Sequence, residues 1–118
     1  MLSENDLIVK STEDMRQEIE DLIAESKLLR EGHDTALQKE EALRLESVET
    51  RRTDPELSEM LWQEAENLHS ESKEMLRESL EKKLRAVELQ HRIDIRSQIE
   101  SLNNYEEIWK RAAKTRRS

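Results

Sequence analysis

Apolar residues in the first half of the chain recur at alternating steps of three and four, the spacing that places them on one face of an α-helix. Two starting points suit the preference of helix N-caps for serine: Ser3, or Ser11 followed by acidic residues. The pattern therefore predicts a first helix that begins near one or the other. Its apolar face consists of Ile8, Met15, Ile19, Leu22 and Leu29, with Thr12 and Ser26 as polar members and Ile23 at its edge.

The segment Gly32-His33-Asp34-Thr35 is a place where this first helix could break. Gly32 suits the residue that follows a helix end, and Asp34 suits the N-cap of a new helix. An unbroken helix is the alternative, because a single interior glycine costs only about 1 kcal/mol relative to alanine. The sequence leaves both interpretations open.

The clearest helix boundary lies at Thr53-Asp54-Pro55-Glu56. Proline at the first helical position loses no hydrogen bond that it would otherwise make, and Asp54 or Thr53 can cap the amides that follow. Arg51 and Arg52 are predicted to occupy the last turn of the preceding helix, where positive charge complements the helix dipole. One helix is therefore predicted to end here and another to begin at Pro55.

The chain contains no glycine or proline from residue 56 onward, which predicts one helix to about Lys114. The steps along its apolar seam are mostly four, so the mean spacing exceeds 3.6 and is closer to an eleven-residue repeat than to a heptad. This spacing predicts nearly straight or slightly right-handed helix pairing, and it argues against a leucine zipper. The seam runs through Leu57, Leu61, Ala65, Leu68, Ser72, Leu76, Leu80, Leu84, Val87, His91, Ile95, Ile99 and Leu102.

Such a helix is stable only when its apolar stripe is covered. Because a tight turn joins it to the first helix, we predict an all-α fold, an elongated antiparallel helical hairpin that resembles a coiled coil. One very long C-terminal helix, over about 55–114, dominates this fold, and oligomerisation completes the bundle. A continuous hairpin pairs residue 4 near residue 102, so the segment from Tyr105 onward extends beyond the first helix.

Composition supports this architecture, because 41% of the 118 residues are charged, 34% are hydrophobic and 3% are aromatic. A charged chain with one glycine and one proline is typical of long helices and coiled coils. The formal net charge of -8 belongs to the first fifty residues, which hold fourteen acids and six basic residues. We therefore predict two parts: an acidic helical arm over 1–52 and an amphipathic helix with a basic tail over 53–118.

The start of the chain lacks the basic and apolar regions of a signal peptide, and no stretch approaches the roughly 20 apolar residues of a membrane span. The chain also lacks cysteine, so no disulfide framework or thiol nucleophile is available. These observations predict a soluble intracellular protein, cytoplasmic or nuclear.

Two Glu-x-x-His motifs, Glu66 to His69 and Glu88 to His91, match a spacing used in di-metal carboxylate proteins. Both motifs lie on the same predicted helix, 22 residues and roughly 33 Å apart, so they cannot share one site within a monomer. We interpret His69 as a surface residue and His91 as part of the seam. No glycine loop or nucleophile arrangement accompanies them, and we predict no metal, no cofactor, no small-molecule substrate and no enzymatic activity.

The leading functional hypothesis is a non-enzymatic scaffolding module that forms a homo-oligomer or binds a helical partner protein through its seam. The residues expected to make that contact are Leu61, Leu68, Leu76, Leu80, Leu84, Val87, Ile95 and Ile99. The alternative is a recognition module whose C-terminus, residues 105–117, binds an acidic polymer such as nucleic acid or a cytoskeletal filament, or an anionic membrane. The residues of that patch are Tyr105, Ile108, Trp109, Lys110, Arg111, Arg116 and Arg117.

Overall fold

The computed structural model describes residues 11–117, which form two α-helices joined by a short turn at 51–54. Helix α1 spans Thr12–Thr50 and helix α2 spans Pro55–Arg117. Ser26 contacts Ser79, and Ser47 contacts Ser58, so the two helices run antiparallel. The predicted fold class, an all-α helical hairpin with one very long C-terminal helix, is confirmed.

Helix α1 begins at the second of the two predicted starting points. The Oγ of Ser11 accepts a hydrogen bond from the Asp14 N–H at 3.0 Å, and its carbonyl accepts one from the Met15 N–H at 3.0 Å. A serine side chain in this position satisfies one of the amides that a helix leaves unpaired at its start. The other candidate, Ser3, lies outside the described residues.

The turn between the helices confirms the predicted boundary. The carbonyl of Thr50 accepts hydrogen bonds from the Thr53 and Asp54 amides at 3.2 and 2.8 Å. The Asp54 carboxylate then accepts the Leu57 N–H at 3.1 Å, so it caps α2 while Pro55 occupies the first helical position. The prediction for Arg51 and Arg52 is wrong, because α1 ends at Thr50 and both arginines lie in the turn.

Helix α1 runs through Gly32 without a break, so the unbroken alternative is the correct one. The glycine does not adopt a positive φ, and its conformation is that of the surrounding helix. A Cβ added here would lie 3.1 Å from the Sδ of Met75 on α2. The missing side chain therefore leaves space for Met75 against α1.

We expect Gly32→Ala to raise the free energy of unfolding by up to about 1 kcal/mol, because alanine restrains the unfolded chain and favours the helix. Met75 is half-buried and flexible, so its sulfur can move slightly away from the new methyl group. Urea unfolding followed by circular dichroism measures the change. The reverse substitution at an exposed site of the same helix, Ala42→Gly, should lower stability by a similar amount. A loss of stability in Gly32→Ala would show that Met75 cannot yield.

Contacts group the described residues into two units, and each unit contains parts of both helices. The turn unit comprises residues 21–85, and the terminal unit comprises residues 11–20 and 86–117. The division into an arm over 1–52 and a helix over 53–118 stays a prediction about domains. The buried residues of the turn unit are Ser26, His33, Ala36, Ser47, Ser58, Ala65, Ser72 and Ser79, and those of the terminal unit are Met15, Ala86, Leu89 and Ile93.

Buried positions on α2 recur every seven residues. A repeat of seven corresponds to 3.5 residues per turn, the spacing of left-handed coiled coils. The predicted longer spacing is therefore wrong for the packed face of α2. The reason is that this face carries mainly serine and alanine, which a search for large apolar residues overlooks. Its members are Ser58, Ala65, Ser72 and Ser79 in the turn unit, and Ala86 and Ile93 in the terminal unit.

Candidate interaction surfaces

Two pairs of buried serines join the helices of the turn unit. The Oγ atoms of Ser26 and Ser79 lie 2.8 Å apart, and each is 3.0 Å from the carbonyl oxygen of the other residue. In the second pair, the Oγ of Ser47 lies 2.7 Å from the Ser58 carbonyl, and the Oγ of Ser58 lies 2.6 Å from the Ser47 carbonyl. Contacts between a side chain and the opposite backbone require closely packed helices, so these serines set both the register and the separation of α1 and α2.

A polar cluster also crosses between the helices of the turn unit. The Glu40 carboxylate accepts hydrogen bonds from the Nε of Arg44 and the Nδ1 of His69, each at 2.9 Å. Arg44 also reaches Glu66 at 3.4 Å, and its guanidinium lies 4.4 Å from the ring centroid of Trp62. The hydrogen bond from Arg44 is the main reason that the pKa of Glu40 lies below its ordinary value. These residues, which we call the Glu40 cluster, link α1 to α2 through paired groups.

Glu40 should make the stability of the hairpin depend on pH. Because its folded pKa is lowered, its contribution is present above the ordinary glutamate pKa of about 4.3 and is lost as pH falls through the folded value. We expect wild type to be more stable than Glu40→Gln at neutral pH, and the difference to shrink below about pH 4. Urea unfolding at a series of pH values measures it. Arg44→Gln removes the main cause of the lowered Glu40 pKa, so the stability of this variant should depend less on pH. A difference between wild type and Glu40→Gln that does not change with pH would contradict the role of Glu40.

The two Glu-x-x-His motifs lie in different surroundings. In the first motif, Glu66 contacts Arg44 and His69 contacts Glu40. In the second, Glu88 accepts a hydrogen bond from Arg92 at 2.9 Å, and His91 is exposed. Within residues 11–117, no three histidine, aspartate or glutamate side chains are grouped in a way that could hold a metal ion. The first motif therefore belongs to the contact between the two helices, so the prediction of His69 as a surface residue is wrong, and the second motif lies on the exposed surface of α2.

The predicted seam residues do not share one face of α2. The first three, Leu61, Leu68 and Leu76, are half-buried beside the small buried residues of the turn unit. The remaining five are exposed, because steps of four move the seam around the helix and away from the packed side. Their role as a partner contact stays a prediction. The exposed five are Leu80 and Leu84 in the turn unit, and Val87, Ile95 and Ile99 in the terminal unit.

The terminal unit has a second apolar surface on α2, which we call the outer face. Ile93 is buried, whereas Ile95 is exposed, and a step of two residues turns a helix by about 200°. The outer face therefore lies on nearly the opposite side from Leu89 and Ile93. Every residue from 97 to 116 is exposed. The large apolar residues of the outer face are Val87, Ile95, Ile99, Leu102, Tyr105 and Trp109, with His91 between the first two.

The aromatic and basic patch at the end of α2 belongs to this exposed segment. The rings of Tyr105 and Trp109 meet edge to face, with centroids 6.1 Å apart and planes at 68°. Lys110 and Arg111 follow directly and are exposed. Arg117 is the last predicted member of the patch, and its side chain is not among those that the structure describes. A shallow groove beside the aromatic pair is lined by Ile108, Trp109, Ala112, Ala113 and Arg116.

Comparison of the chain with protein-family models, curated proteins and solved structures finds no match. Neither of the helices within residues 11–117 combines the length and the hydropathy that crossing a membrane requires.

Proposed function

We propose that the chain is a non-enzymatic structural module that assembles with other helical chains through the outer face of α2. One observation carries the proposal: six large apolar residues lie exposed along one face of α2. This face begins opposite the packed Leu89 and Ile93 and continues through residues 97–116, where α2 is exposed on every side. An amphipathic helix that covers one stripe and exposes another is typical of a helix that packs against two neighbours.

The cost of leaving this surface in water supports the proposal. Isolated helices gain too little from propensity to be stable in water, and most of their stability comes from packing an apolar face. Contiguous exposed apolar surface usually marks an interaction site, and helices bind other helices through residues spaced by three and four positions. The outer face follows this spacing from Val87 to Trp109.

The polar groups of the described residues support a structural role as well. The serine pairs and the Glu40 cluster hold α1 against α2, and their partners are other groups of the same hairpin. A catalytic site generally requires a concave pocket with convergent polar groups. The grooves of the terminal unit instead run along the surface of a single helix.

Light scattering coupled to size exclusion, with circular dichroism across a concentration series, tests the proposal. We expect a strongly helical dimer or larger assembly, and we expect Ile95→Glu with Leu102→Glu to reduce its mass. Ser97→Glu with Asn104→Glu adds the same charge to exposed positions on the side of α2 away from the outer face, and it should leave the assembly intact. A fully helical monomer at every concentration would contradict the proposal. A weakly helical monomer would restrict it to assembly with a different chain.

A recognition role is the second candidate, and the exposed Tyr105 and Trp109 beside Lys110 and Arg111 favour it. Aromatic rings next to cations can contact nucleic acid or an anionic lipid surface. Such contact would weaken strongly with salt. Binding to heparin, lost when Lys110, Arg111, Arg116 and Arg117 are replaced by glutamine in an intact oligomer, would support it, and unchanged binding would remove it.

A further inference from the structure

We propose that the outer face binds the outer face of a second copy of this chain, with the two α2 helices antiparallel and centred on Ile99. This inference rests on the proposed assembly function and names its partner. Both surfaces belong to the terminal unit of each copy.

The apolar residues are spaced so that the face fits itself. In antiparallel pairing about Ile99, a residue three positions after the centre lies level with the residue three positions before it. Leu102 then lies between Ile95 and Ile99 of the second copy. By the same geometry, Tyr105 lies between His91 and Ile95, and Trp109 lies between Val87 and His91. Side chains that fill the gaps between successive residues of the opposite helix make the knobs-into-holes contacts of coiled coils.

Charges beside the outer face favour the antiparallel direction. In this pairing Arg92 lies level with Glu106 of the second copy, and Glu88 lies level with Lys110. The two-fold axis repeats each pair. Glu88 and Arg92 form an ion pair along α2, and each side chain remains about half exposed at 53% and 54%, so both can accept a second partner. A parallel pairing would leave Glu106 of the second copy about 21 Å along the axis from Arg92, so neither ion pair could form.

A second copy fits this surface better than an anionic membrane does. Helices that lie on such membranes carry mainly lysine and arginine on their polar side. Residues 87–109 hold five acids and two arginines. The mixture of signs is typical of a protein contact in which charges select direction and register.

Cysteine cross-linking tests the pairing without background, because the chain has no cysteine. Ile99→Cys should form a disulfide between copies, because Ile99 lies on the axis. Ile95→Cys and Leu102→Cys should each fail to cross-link alone, since equivalent residues lie about 12 Å and 9 Å apart along the helix axis. A mixture of those two proteins should cross-link. Ser97→Cys, on the side of α2 away from the outer face, is the control that should remain unlinked.

Charge reversal gives an independent measurement. Arg92→Glu should raise the dimer dissociation constant about threefold to tenfold, and the double reversal Arg92→Glu with Glu106→Arg should restore it. A disulfide formed by Ile95→Cys alone would overturn this pairing. So would a dimer whose dissociation constant is unchanged by Arg92→Glu and which forms no cross-link in the mixture of the two cysteine variants. Either result would leave the assembly proposal in place. A fully helical monomer would overturn both. With Trp62→Phe, the emission of Trp109 should shift to shorter wavelength as concentration rises, and a shift only on adding phosphatidylglycerol vesicles would overturn the second-copy partner.

Discussion

Ser79→Leu should lower the free energy of unfolding by about 2–4 kcal/mol. This is a larger effect than we expect from the other substitutions in the turn unit. Ser79 is 1% exposed, and its hydroxyl lies 2.8 Å from that of Ser26 on the opposite helix. A leucine side chain has no room at this separation, so α1 and α2 must move apart. The substitution also deprives Ser26 of its hydroxyl partner. Overpacking and a lost buried hydrogen bond therefore add in the same direction.

Urea unfolding followed by circular dichroism measures this effect, and Ser70→Leu provides the matched control. Ser70 lies on the same helix but is exposed, so the same change there should alter stability by less than about 0.5 kcal/mol. Equal losses in the two variants would mean that the helices are not closely packed at Ser79. A loss confined to Ser79→Leu would establish that the small residues repeating every seven positions set the helix separation.

Local chemistry made the helix boundaries predictable from the sequence. Pro55 and the capping side chain of Asp54 act within one turn of the chain, so the residues that cause the boundary are adjacent to it. The start at Ser11 was one of two candidates, because serine caps look alike until the following residues are placed. The path through Gly32 could not be decided from the sequence, since one interior glycine costs a helix only about 1 kcal/mol and the position of Met75 beside it depends on the packing of the two helices.

The packed face of α2 was harder to predict because it consists mainly of small residues, whereas the large leucines of the same helix follow a different spacing. From Leu76 onward the exposed apolar residues continue mostly at steps of four, whereas the packed side advances seven residues at a time through Ser79 and Ala86. Serine contributes little hydrophobicity, and its burial here depends on a hydroxyl partner on the other helix. Small residues at intervals of seven are the sequence pattern that corresponds to this face.

The contacts of the Glu40 cluster could not be predicted from the amino-acid sequence. Glutamate is abundant in this sequence, so no pattern distinguishes Glu40 from its exposed neighbour Glu41. Only the register of α1 against α2 brings His69 to one oxygen of Glu40 while Arg44 occupies the other. Interactions between residues 29 positions apart depend on the fold and become visible only with it.

Leu89→Ala should lower the free energy of unfolding of the terminal unit by about 2–4 kcal/mol. Leu89 is 0% exposed, and its replacement leaves a cavity beside the other buried residues of that unit. Few residues form this small core, so little neighbouring material can fill the space. Loss of helical signal at lower urea concentration, measured by circular dichroism, reports the effect.

Val87→Ala supplies the contrast that separates the two faces of α2. Val87 lies only two positions from Leu89 but is 66% exposed, so its truncation should change the unfolding of the hairpin by less than about 0.5 kcal/mol. The same variant should weaken assembly at fixed concentration, because Val87 belongs to the outer face. If Val87→Ala instead destabilised a monomeric hairpin as strongly as Leu89→Ala, both residues would belong to one packed face and the outer face would not exist as a separate surface. Opposite rankings in the unfolding and association measurements would assign packing to Leu89 and partner contact to Val87.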